Sequence, residues 1–323
     1  MPTTYLEAIR EGLWEEMERD PDVFLIGEDI GVYGGAFKVT AGFIEHFGER
    51  RVVDTPISES AIVGAAIGAG LMGLRPVAEM QFADFISCGF DQLVNFAAKC
   101  RYRWNAPVPM VVRAPSGGGI HGGPFHSQNP EMWFVKTPGL KVICPATAYD
   151  AKGLIKSAVR DNDPVIFFEH KALYRRIKED LPAEEFTVPI GKARIARQGR
   201  HLSIVTYGAM VWTALEAAEK LAAEGIEIEV VDLRTLLPLD RDTVCESVKK
   251  TSRVLLLHED TRTGGLAGEL AISITESVFE YLDAPIVRLT APDTPVPFSP
   301  PLEEAFLPNV DKVIEKARWL YRY

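Results

Sequence analysis

The chain has 323 residues, of which 47% are hydrophobic and 25% are charged, and its formal net charge is -10. A chain of this length is expected to form two domains, because one domain commonly spans about 100–200 residues. The excess of acidic residues disfavours nucleic acids and anionic membranes as partners, because both are negatively charged and bind positively charged protein surfaces.

Apolar runs typical of strands alternate with amphipathic runs typical of helices in the first half of the chain. Residues 3–19 are predicted to form a helix because Leu6, Ile9, Leu13 and Met17 recur at helical spacing. Strands are predicted at 23–26, 51–53, 76–81, 109–113, 140–144 and 164–169, and further helices at 59–73, 89–103 and 148–161. Short apolar strands separated by helices favour a mainly parallel sheet covered on both faces.

The alternation breaks between about residues 172 and 198, where a charged segment carrying Pro182 and Pro189 predicts a linker. Strands are then predicted at 202–207, 226–232, 253–258 and 285–289, and helices at 210–224, 240–251 and 266–282. A proline-rich loop over 292–301 and a final helix near 309–320 complete the pattern. We therefore predict two α/β domains, residues 1–185 and 186–323.

The four cysteines form no Cys-x-x-Cys pair, so neither a zinc site nor a redox dithiol is indicated. The first twenty residues lack the basic and apolar regions of a secretory signal. No stretch approaches 18 uninterrupted apolar residues, so no membrane span is predicted. These features together predict a cytoplasmic protein with reduced thiols.

Glu59 follows a predicted strand, at the end where ligands bind in open α/β sheets, and opens the next predicted helix. An acid in the first turn is stabilised by the helix dipole, and this structural explanation stays open. The alternative is a carboxylate of raised pKa that exchanges a proton with a bound heterocycle. In that case Ile57, Ala61 and Ile62 would provide the apolar surroundings.

His126 lies in a loop with five glycines in the ten preceding positions. Such a loop is costly to order, which suggests that its backbone approaches a ligand closely. His126 is either a surface histidine or a general acid/base, and His121 is a weaker candidate for the same role. The loop lacks the Gly-Lys-[Ser/Thr] ending of a P-loop, so it is not expected to bind nucleotide phosphates.

Two further features leave a structural and a functional interpretation open. The helix that starts near Glu59 is rich in glycine and alanine between residues 64 and 73. Its small side chains suit tight packing within one subunit or a subunit interface. Phe82 and Phe85 are either core aromatics or an apolar platform for a flat ring.

Several stretches resemble the beta subunits of thiamine-diphosphate-dependent 2-oxo acid dehydrogenases, and the similarity runs from Tyr5 to Tyr323. The resemblance is carried by DTPISESAIVGAAIGAGLMGLRPVAEMQFADF, VVRAPSGGGIHGGPFHSQNPEMWF, PGLKVICPATAYDAKGLIKSAVRDNDPVIFFEHKALYR and VVDLRTLLPLD. It implies a transketolase-like α/β fold, with a pyrimidine-binding domain on a parallel sheet followed by a C-terminal α/β domain.

The resemblance also implies roles for single residues. Glu59 matches the glutamate that hydrogen-bonds the aminopyrimidine nitrogen N1′ of thiamine diphosphate, and Phe85 matches the aromatic residue that stacks on that ring. The same pocket is lined at positions matching Glu28, Ile57, Ser58 and Gln81.

His126 matches a loop histidine that handles protons at the reacting carbon and assists transfer of the acyl group to a lipoyl arm. The substrate would be bordered by Phe82, Phe125, Ser127 and Gln128. Asp161 and Asp163 lie where some members of the family have a monovalent-cation site. One of those members has asparagine at the position of Asp163. A potassium ion is therefore expected near them.

The family's motif for magnesium and diphosphate begins Gly-Asp-Gly, and this chain has no Gly-Asp-Gly. The resemblance therefore implies an alpha subunit that holds Mg²⁺ and the diphosphate within an α2β2 heterotetramer. Further expected partners are the 2-oxo acid substrate and the lipoyl and subunit-binding domains of a dihydrolipoyl acyltransferase. The C-terminal domain is expected to serve dimer contacts and docking to that acyltransferase.

The segments MQFADF and HSQNPEMWF are most similar to enzymes for branched-chain 2-oxo acids, whereas FFEHKALYR also occurs in similar form in pyruvate enzymes. A 2-oxoisovalerate-type substrate is favoured, with pyruvate second and acetoin third. Two other hypotheses are a catalytically silent assembly subunit and a self-sufficient transketolase-like enzyme. The presence of Glu59, Phe85 and His126 argues against the first, and the chain length and missing Gly-Asp-Gly argue against the second.

Overall fold

A computed structural model describes residues 2–323. The chain forms two compact units, which are not contiguous in sequence. The first comprises residues 2–116 and 133–190, and the second comprises 117–132 and 191–323. The segment 117–132 thus groups with the C-terminal part of the chain, although it lies well inside the N-terminal half of the sequence.

The N-terminal part of the chain contains eight strands and six α-helices. The strands are β1 (Thr3–Thr4), β2 (Val23–Glu28), β3 (Val52–Thr55), β4 (Arg75–Glu79), β5 (Val111–Ser116), β6 (Lys141–Ile143), β7 (Val165–His170) and β8 (Lys178–Glu179). The helices are α1 (Tyr5–Arg19), α2 (Phe43–Phe47), α3 (Glu59–Leu71), α4 (Ala98–Trp104), α5 (Glu131–Val135) and α6 (Ala148–Arg160).

The main sheet of the first unit joins its strands in the order β6-β7-β5-β4-β2-β3, and every one of these pairs is parallel. The mainly parallel α/β fold predicted from the sequence is therefore confirmed. The carboxyl ends of β2, β3 and β4 lie at one edge, because Glu28 pairs with Thr55 and Gly27 with Glu79. This edge carries most of the residues predicted to bind a cofactor.

Helix α1 begins at a capping box, as its sequence predicts for a Thr-x-x-Glu start. The Thr4 hydroxyl accepts from the Glu7 backbone N–H at 3.1 Å, and the Glu7 carboxylate accepts from the Thr4 N–H at 2.8 Å. Its apolar side packs against α6, where a β-carbon on Gly12 would lie 2.6 Å from the Ile155 side chain. Close approach of these two helices therefore depends on the absence of a side chain at residue 12.

The C-terminal part of the chain contains six strands and five α-helices. The strands are β9 (Arg194–Arg197), β10 (Leu202–Thr206), β11 (Ile228–Asp232), β12 (Thr235–Leu237), β13 (Val254–Thr261) and β14 (Val287–Ala291). The helices are α7 (Met210–Ala222), α8 (Arg241–Thr251), α9 (Leu266–Val278), α10 (Pro300–Phe306) and α11 (Val310–Arg322).

The sheet of the second unit has the order β14-β13-β10-β11-β9. Its inner pairs are parallel, and β9 adds an antiparallel edge strand to β11. Helices α7 and α11 cover one face and enclose a core that includes Leu221, Ile204 and Leu320. The second unit therefore has its own apolar core.

Three segments differ from the sequence predictions. The helix expected over 89–103 contains a π-helical segment (Gln92–Ala97) before α4, and a 3₁₀ segment (Ala83–Gly89) precedes it. The proline-rich loop ends in α10, because Pro300 occupies a first-turn position where its missing N–H costs nothing. The expected linker contains β8, which pairs with β1, and its Val188 N–H donates to the Gly153 carbonyl at 3.1 Å.

Across residues 2–323, no helix is both long enough and apolar enough to cross a lipid bilayer. All four cysteines are free thiols, and two of them, Cys100 and Cys144, are buried. The division at residue 185 stays a prediction; the last junction between the compact units lies between residues 190 and 191.

Gly139 should tolerate a side chain far less well than Gly73, although their φ values are nearly equal, at +100° and +99°. A β-carbon at residue 139 would lie 1.9 Å from the Ala98 carbonyl oxygen, whereas nothing lies within 4 Å of one at residue 73. We expect Gly73→Ala to cost about 1–2 kcal/mol from backbone strain alone. Gly139→Ala should cost about 1–3 kcal/mol more, because the backbone must move.

Calorimetric melting of the two variants and the parent measures this difference. Gly73→Ala is the matched control for φ. Equal melting temperatures for the two variants would show that the contact with Ala98 is not a packing constraint.

Candidate active site

Two acidic side chains lie at the carboxyl edge of the first sheet. Glu28 ends β2, and Glu59 is the first residue of α3. The Ser58 backbone N–H, at the N-cap of α3, donates to Glu28 Oε1 at 3.3 Å. Burial and then the charge of Glu59 raise the pKa of Glu28. The two carboxylates therefore interact.

The surroundings of Glu59 are less apolar than the sequence suggested. Ile62 is buried, but Ile57 is 81% exposed and Ala61 is exposed as well. The expectation that all three residues desolvate Glu59 is therefore wrong for two of them within this chain. Ile57 instead exposes its apolar side chain two positions before Glu59 in the sequence.

Aromatic side chains follow β4 at the same edge. Phe82 and Phe85 are both partly buried, and their ring centroids lie 6.0 Å apart in an edge-to-face arrangement. Phe37 packs against Phe82 with ring centroids 5.5 Å apart, and Lys171 Nζ lies 5.7 Å from the Phe82 ring centroid. Phe82 is thus held by neighbours within the unit, which suits a wall of a pocket.

Gln81 lies between the end of β4 and this aromatic pair. Its amide Nε2 donates to Asp29 Oδ2 at 2.8 Å. Asp29 has a φ of +56°, an uncommon conformation for a residue with a side chain. Local strain of this kind is frequent at functional sites, and here it orients a hydrogen-bonding pair at the strand ends.

A buried ion cluster beneath this edge was not found from the sequence. Arg113 Nε donates to Glu169 Oε1 at 2.6 Å and Nη2 donates to Glu169 Oε2 at 2.8 Å, while Nη1 donates to Glu79. The Tyr174 hydroxyl donates to Glu169 Oε2 at 2.7 Å, and its ring packs on Phe37. Single charges inside the apolar strands PVAEM, VVRAP and VIFFEH were the available sequence signal.

The glycine-rich loop, residues 117–129, belongs to the second unit and carries the remaining predicted site residues. Its ends meet where the Gly117 N–H donates to the Gln128 carbonyl at 3.1 Å. Phe125 is exposed, His126 and Gln128 are partly buried, and Ser127 is fully buried. A β-carbon on Gly122 would lie 2.9 Å from His126 Cβ and 2.8 Å from Ser127 Oγ. Glycine at residue 122 thus allows the close turn that presents His126.

Buried acids collect near the carboxyl ends of the second sheet. Burial and then the charge of Asp260 raise the pKa of Glu131 well above its usual range. Burial, opposed by hydrogen bonds from Thr261, raises the pKa of Asp260 to about 6. His258 lies on the same strand, and burial lowers its pKa to about 4. At neutral pH the Asp260 carboxyl and the His258 imidazole are therefore both largely without a proton, and Glu131 is the group of the three that most favours holding one.

The two aspartates predicted to lie near a potassium ion are paired with protein cations. Lys141 Nζ contacts Asp161, and Arg101 Nε donates to Asp163 Oδ1 at 2.7 Å. Within residues 2–323, no group of three or more His, Cys, Asp or Glu side chains is arranged to hold a metal ion. The potassium site stays a prediction.

In the first unit the structure brings together Glu28, Ser58 and Glu59, and separately Phe82 with Phe85. Gln81 follows the same strand end as the aromatic pair. In the second unit the predicted residues Phe125, His126, Ser127 and Gln128 are consecutive in one loop. The arrangement offers a proton-exchanging acid, apolar and aromatic surface for a flat ring, and a histidine on a separately built loop.

Family models match both parts of the chain. Residues 2–177 match the transketolase pyrimidine-binding domain, and residues 191–313 match the transketolase C-terminal domain. A split-gene transketolase described as an inactive beta4 tetramer has a similar fold, with a TM-score of 0.81. The alignment covers 100% of this chain and 99% of that one at 23% identity, a level that speaks for the fold alone.

Curated relatives are similar over nearly the whole length. The chain is 52% identical to the 2-oxoisovalerate dehydrogenase subunit beta of Bacillus subtilis, with 99% of each chain covered. It is 46% identical to the pyruvate dehydrogenase E1 component subunit beta of the same organism, covering 98% of this chain and 97% of the other. The corresponding subunit of Staphylococcus aureus is 44% identical, with the same coverage.

Asp260 should make the stability of the chain depend on pH. Its pKa is raised from 3.8 to about 6 in the folded protein, so the folded state holds a proton that the unfolded chain has released. The free energy of unfolding therefore falls as pH rises from about 4 to about 6, and stays lower above that. We expect Asp260→Asn to be more stable than the parent by about 1–3 kcal/mol at pH 7.5.

Melting temperatures measured between pH 4.5 and 7.5 report this effect, and the gain should shrink toward the acid end. Asp180→Asn, a matched change at an exposed residue, should show no such trend. A constant difference across the pH range would mean that the Asp260 carboxyl is not the titrating group.

Proposed function

This chain belongs to the family of 2-oxo acid dehydrogenase beta subunits, and from this membership we propose that it binds the aminopyrimidine half of thiamine diphosphate. The proposed binding edge is formed by residues at the ends of β2, β3 and β4. They are Glu28, Ile57, Ser58, Glu59, Gln81 and Phe85. The enzymes of this family are thiamine-dependent decarboxylases.

The observation that carries the proposal is the pair of interacting carboxylates beside an uncovered apolar surface. Glu28 is 5% exposed and its pKa is raised, first by burial and then by Glu59. A flat heterocycle with one basic nitrogen fits such an edge, because Glu59 can share a proton with that nitrogen. Ile57, 81% exposed in this chain, offers the apolar contact that the ring requires.

Thiamine diphosphate, when bound, supplies the nucleophilic carbon and the electron sink for decarboxylation of a 2-oxo acid. Glu59 then holds a proton at the aminopyrimidine nitrogen N1′. Glu28, whose pKa is raised first by burial and then by the charge of Glu59, lines the same edge. Phe85 presents a ring to the aminopyrimidine, and Phe82 borders the substrate together with Phe125, Ser127 and Gln128 of the glycine-rich loop.

His126 handles protons at the reacting carbon in this proposal and assists transfer of the acyl group to a lipoyl domain. An imidazole suits both steps because it exchanges protons near neutral pH. The glycine at residue 122 supports the assignment, since it lets the backbone turn tightly at His126. The lipoyl domain and the subunit-binding domain would belong to a dihydrolipoyl acyltransferase.

The other end of the cofactor needs a second polypeptide. Within residues 2–323, no group of three or more acidic, histidine or cysteine side chains is arranged to hold a metal ion. The sequence has no Gly-Asp-Gly motif either. We propose that an alpha subunit supplies the Mg²⁺ and diphosphate site in an α2β2 assembly, and that this chain alone is inactive.

The proposed substrate is a branched-chain 2-oxo acid of the 2-oxoisovalerate type. It is supported by the 52% identity to a protein named for that substrate, against 46% for one named for pyruvate. Pyruvate is the second candidate because both identities are high. A pocket that differs by one or two methylenes separates such substrates by only about 1–3 kcal/mol each.

Glu59→Gln should remove most decarboxylation in the enzyme reconstituted with its alpha subunit. Glutamine keeps the shape of the side chain but cannot hold the proton, so we expect kcat to fall about a hundredfold or more. Steady-state decarboxylation by the assembled α2β2 enzyme measures this. The chain without the alpha subunit should give no turnover.

Glu49→Gln is the matched control, because Glu49 is an exposed glutamate away from the sheet edge. It should leave both assembly and rate unchanged. A near-normal rate for Glu59→Gln, or turnover by the chain alone, would contradict the proposed division of the active site.

A panel of 2-oxo acids assayed with the reconstituted enzyme tests the substrate. We expect kcat/KM to be highest for 2-oxoisovalerate, and lower for pyruvate by about ten- to a hundredfold. The reverse order would assign the chain to pyruvate oxidation and leave the proposed role of Glu59 intact.

A further inference from the structure

Two buried carboxylates of the second unit accept hydrogen bonds from N–H groups of the glycine-rich loop. Glu303 lies on α10 and is 1% exposed, and Glu259 lies on β13 and is 6% exposed. A buried carboxylate is costly unless hydrogen-bond donors surround it. In both cases donors come from residues 118–129, so the loop and the two acids stabilise one another.

Glu303 holds the first half of the loop. Its Oε1 accepts from the Gly119 backbone N–H at 3.0 Å, and its Oε2 accepts from the His121 N–H at 3.1 Å. His121 Nδ1 also lies 2.7 Å from Glu303 Oε2. His121 has a φ of +60°, which is uncommon for a residue with a side chain, and Glu303 fixes it there. This histidine serves as an anchor of the loop.

Glu259 holds the two ends of the loop together. Its Oε1 accepts from the Gly118 N–H and from Asn129 Nδ2, the latter at 3.1 Å. A β-carbon on Gly118 would lie 3.2 Å from Oε1 of both Glu259 and Glu303, so the backbone approaches the two acids closely. Both ends of the segment that contains His126 are therefore attached to one carboxylate.

The part of the loop nearest His126 is fixed by packing. The His126 N–H donates to the Gly123 carbonyl at 3.3 Å. A β-carbon on Gly123, whose φ is +70°, would lie 2.6 Å from the Phe298 ring. With residues 118, 119, 121 and 129 bonded to the acids, little freedom is left for the backbone at residue 126.

We propose that Glu259 and Glu303 are positioning residues that set the place of His126 through the backbone of the glycine-rich loop. This inference rests on the proposed function, in which His126 acts on the substrate. Glycines make the loop flexible in the unfolded chain, and the two carboxylates restore order without occupying space near His126. Their effect on the reaction is therefore indirect and must pass through His126.

Hydrogen exchange in the α2β2 enzyme tests whether Glu303 holds the loop. Glu303→Gln leaves one acceptor oxygen for the two backbone donors, so the amides of Gly119 and His121 should exchange about ten- to a hundredfold faster. Glu304→Gln is the matched control, since Glu304 is the exposed neighbour on the same helix. It should leave exchange of the loop unchanged. Unchanged exchange in Glu303→Gln would overturn the inference.

Kinetics of the same enzyme test whether the loop acts through His126. Glu303→Gln should lower the rate of lipoyl acylation more than that of decarboxylation, in the same sense as His126→Ala. The double variant should then be no slower than His126→Ala, because residues that act through one group are not additive. If the double variant instead shows the product of the two single losses, Glu303 acts independently of His126. That result would overturn the positioning role, because it is what a purely structural effect of Glu303 predicts.

His121→Ala keeps the inference testable should Glu303→Gln fail to assemble. It removes only the contact with Nδ1, on a side chain that is 52% exposed, and leaves both backbone bonds to Glu303. Exchange at residues 119 and 121 should rise about two- to fivefold, and no rise at all would count against the inference. A silent His126→Ala would instead refute the proposed role of His126, and exchange would still report on the two acids.

Discussion

Arg113 carries a charge into the middle of the first sheet, and the register of the strands around it depends on how that charge is matched. The guanidinium is 1% exposed and lies between Glu79 on β4 and Glu169 on β7. Removing one partner from such a cluster leaves a buried charge without compensation, which commonly costs about 3–5 kcal/mol. The three strands therefore have one satisfactory alignment. Gln81, Phe82 and Phe85 follow β4 directly, so their positions are set by this alignment.

The second unit orders its functional segment in a different way. The glycine-rich loop has few side chains with which to pack, so its backbone N–H groups make the attachments to Glu259 and Glu303. Peptide groups in a loop must find acceptors when they are buried, and carboxylates are the strongest acceptors available. The loop can then stay rich in glycine, with backbone in close turns around His126, and still adopt one structure.

The carboxyl edge of the first unit carries polar and apolar groups of the kind that a partner chain and a cofactor are expected to cover. This edge carries two interacting acids, an exposed isoleucine and a partly buried aromatic pair. Among residues 2–323, no group of three or more His, Cys, Asp or Glu side chains is arranged to hold a metal ion. An edge of this kind suits half of a shared site, because the apolar contact and the proton exchange need no diphosphate site in the same chain. The two relatives, named for different 2-oxo acids, are both named as beta subunits.

The sequence by itself determined the α/β class, most helices and strands, and the family. Periodicity and short apolar runs depend on local spacing, which the sequence displays directly, and α1, α3, β2 and β7 lie close to their predicted ranges. Helix α10 was missed because prolines suit the first turn of a helix as well as a loop. The π-helical segment Gln92–Ala97 contains no proline or glycine that would mark it in the sequence. Strand ends and glycine spacing had already singled out Glu59 and His126, and the resemblance to the family added the cofactor and the role of each residue.

Tertiary structure alone decided which charges meet. Arg113 and Glu169 are 56 residues apart, and Gly119 and Glu303 are 184 apart. No local pattern marks such pairs, because the sequence around a single acid in a strand or a helix does not show whether its side chain faces water or a buried donor. Only the fold, by bringing distant segments together and excluding water from them, makes those charges depend on each other.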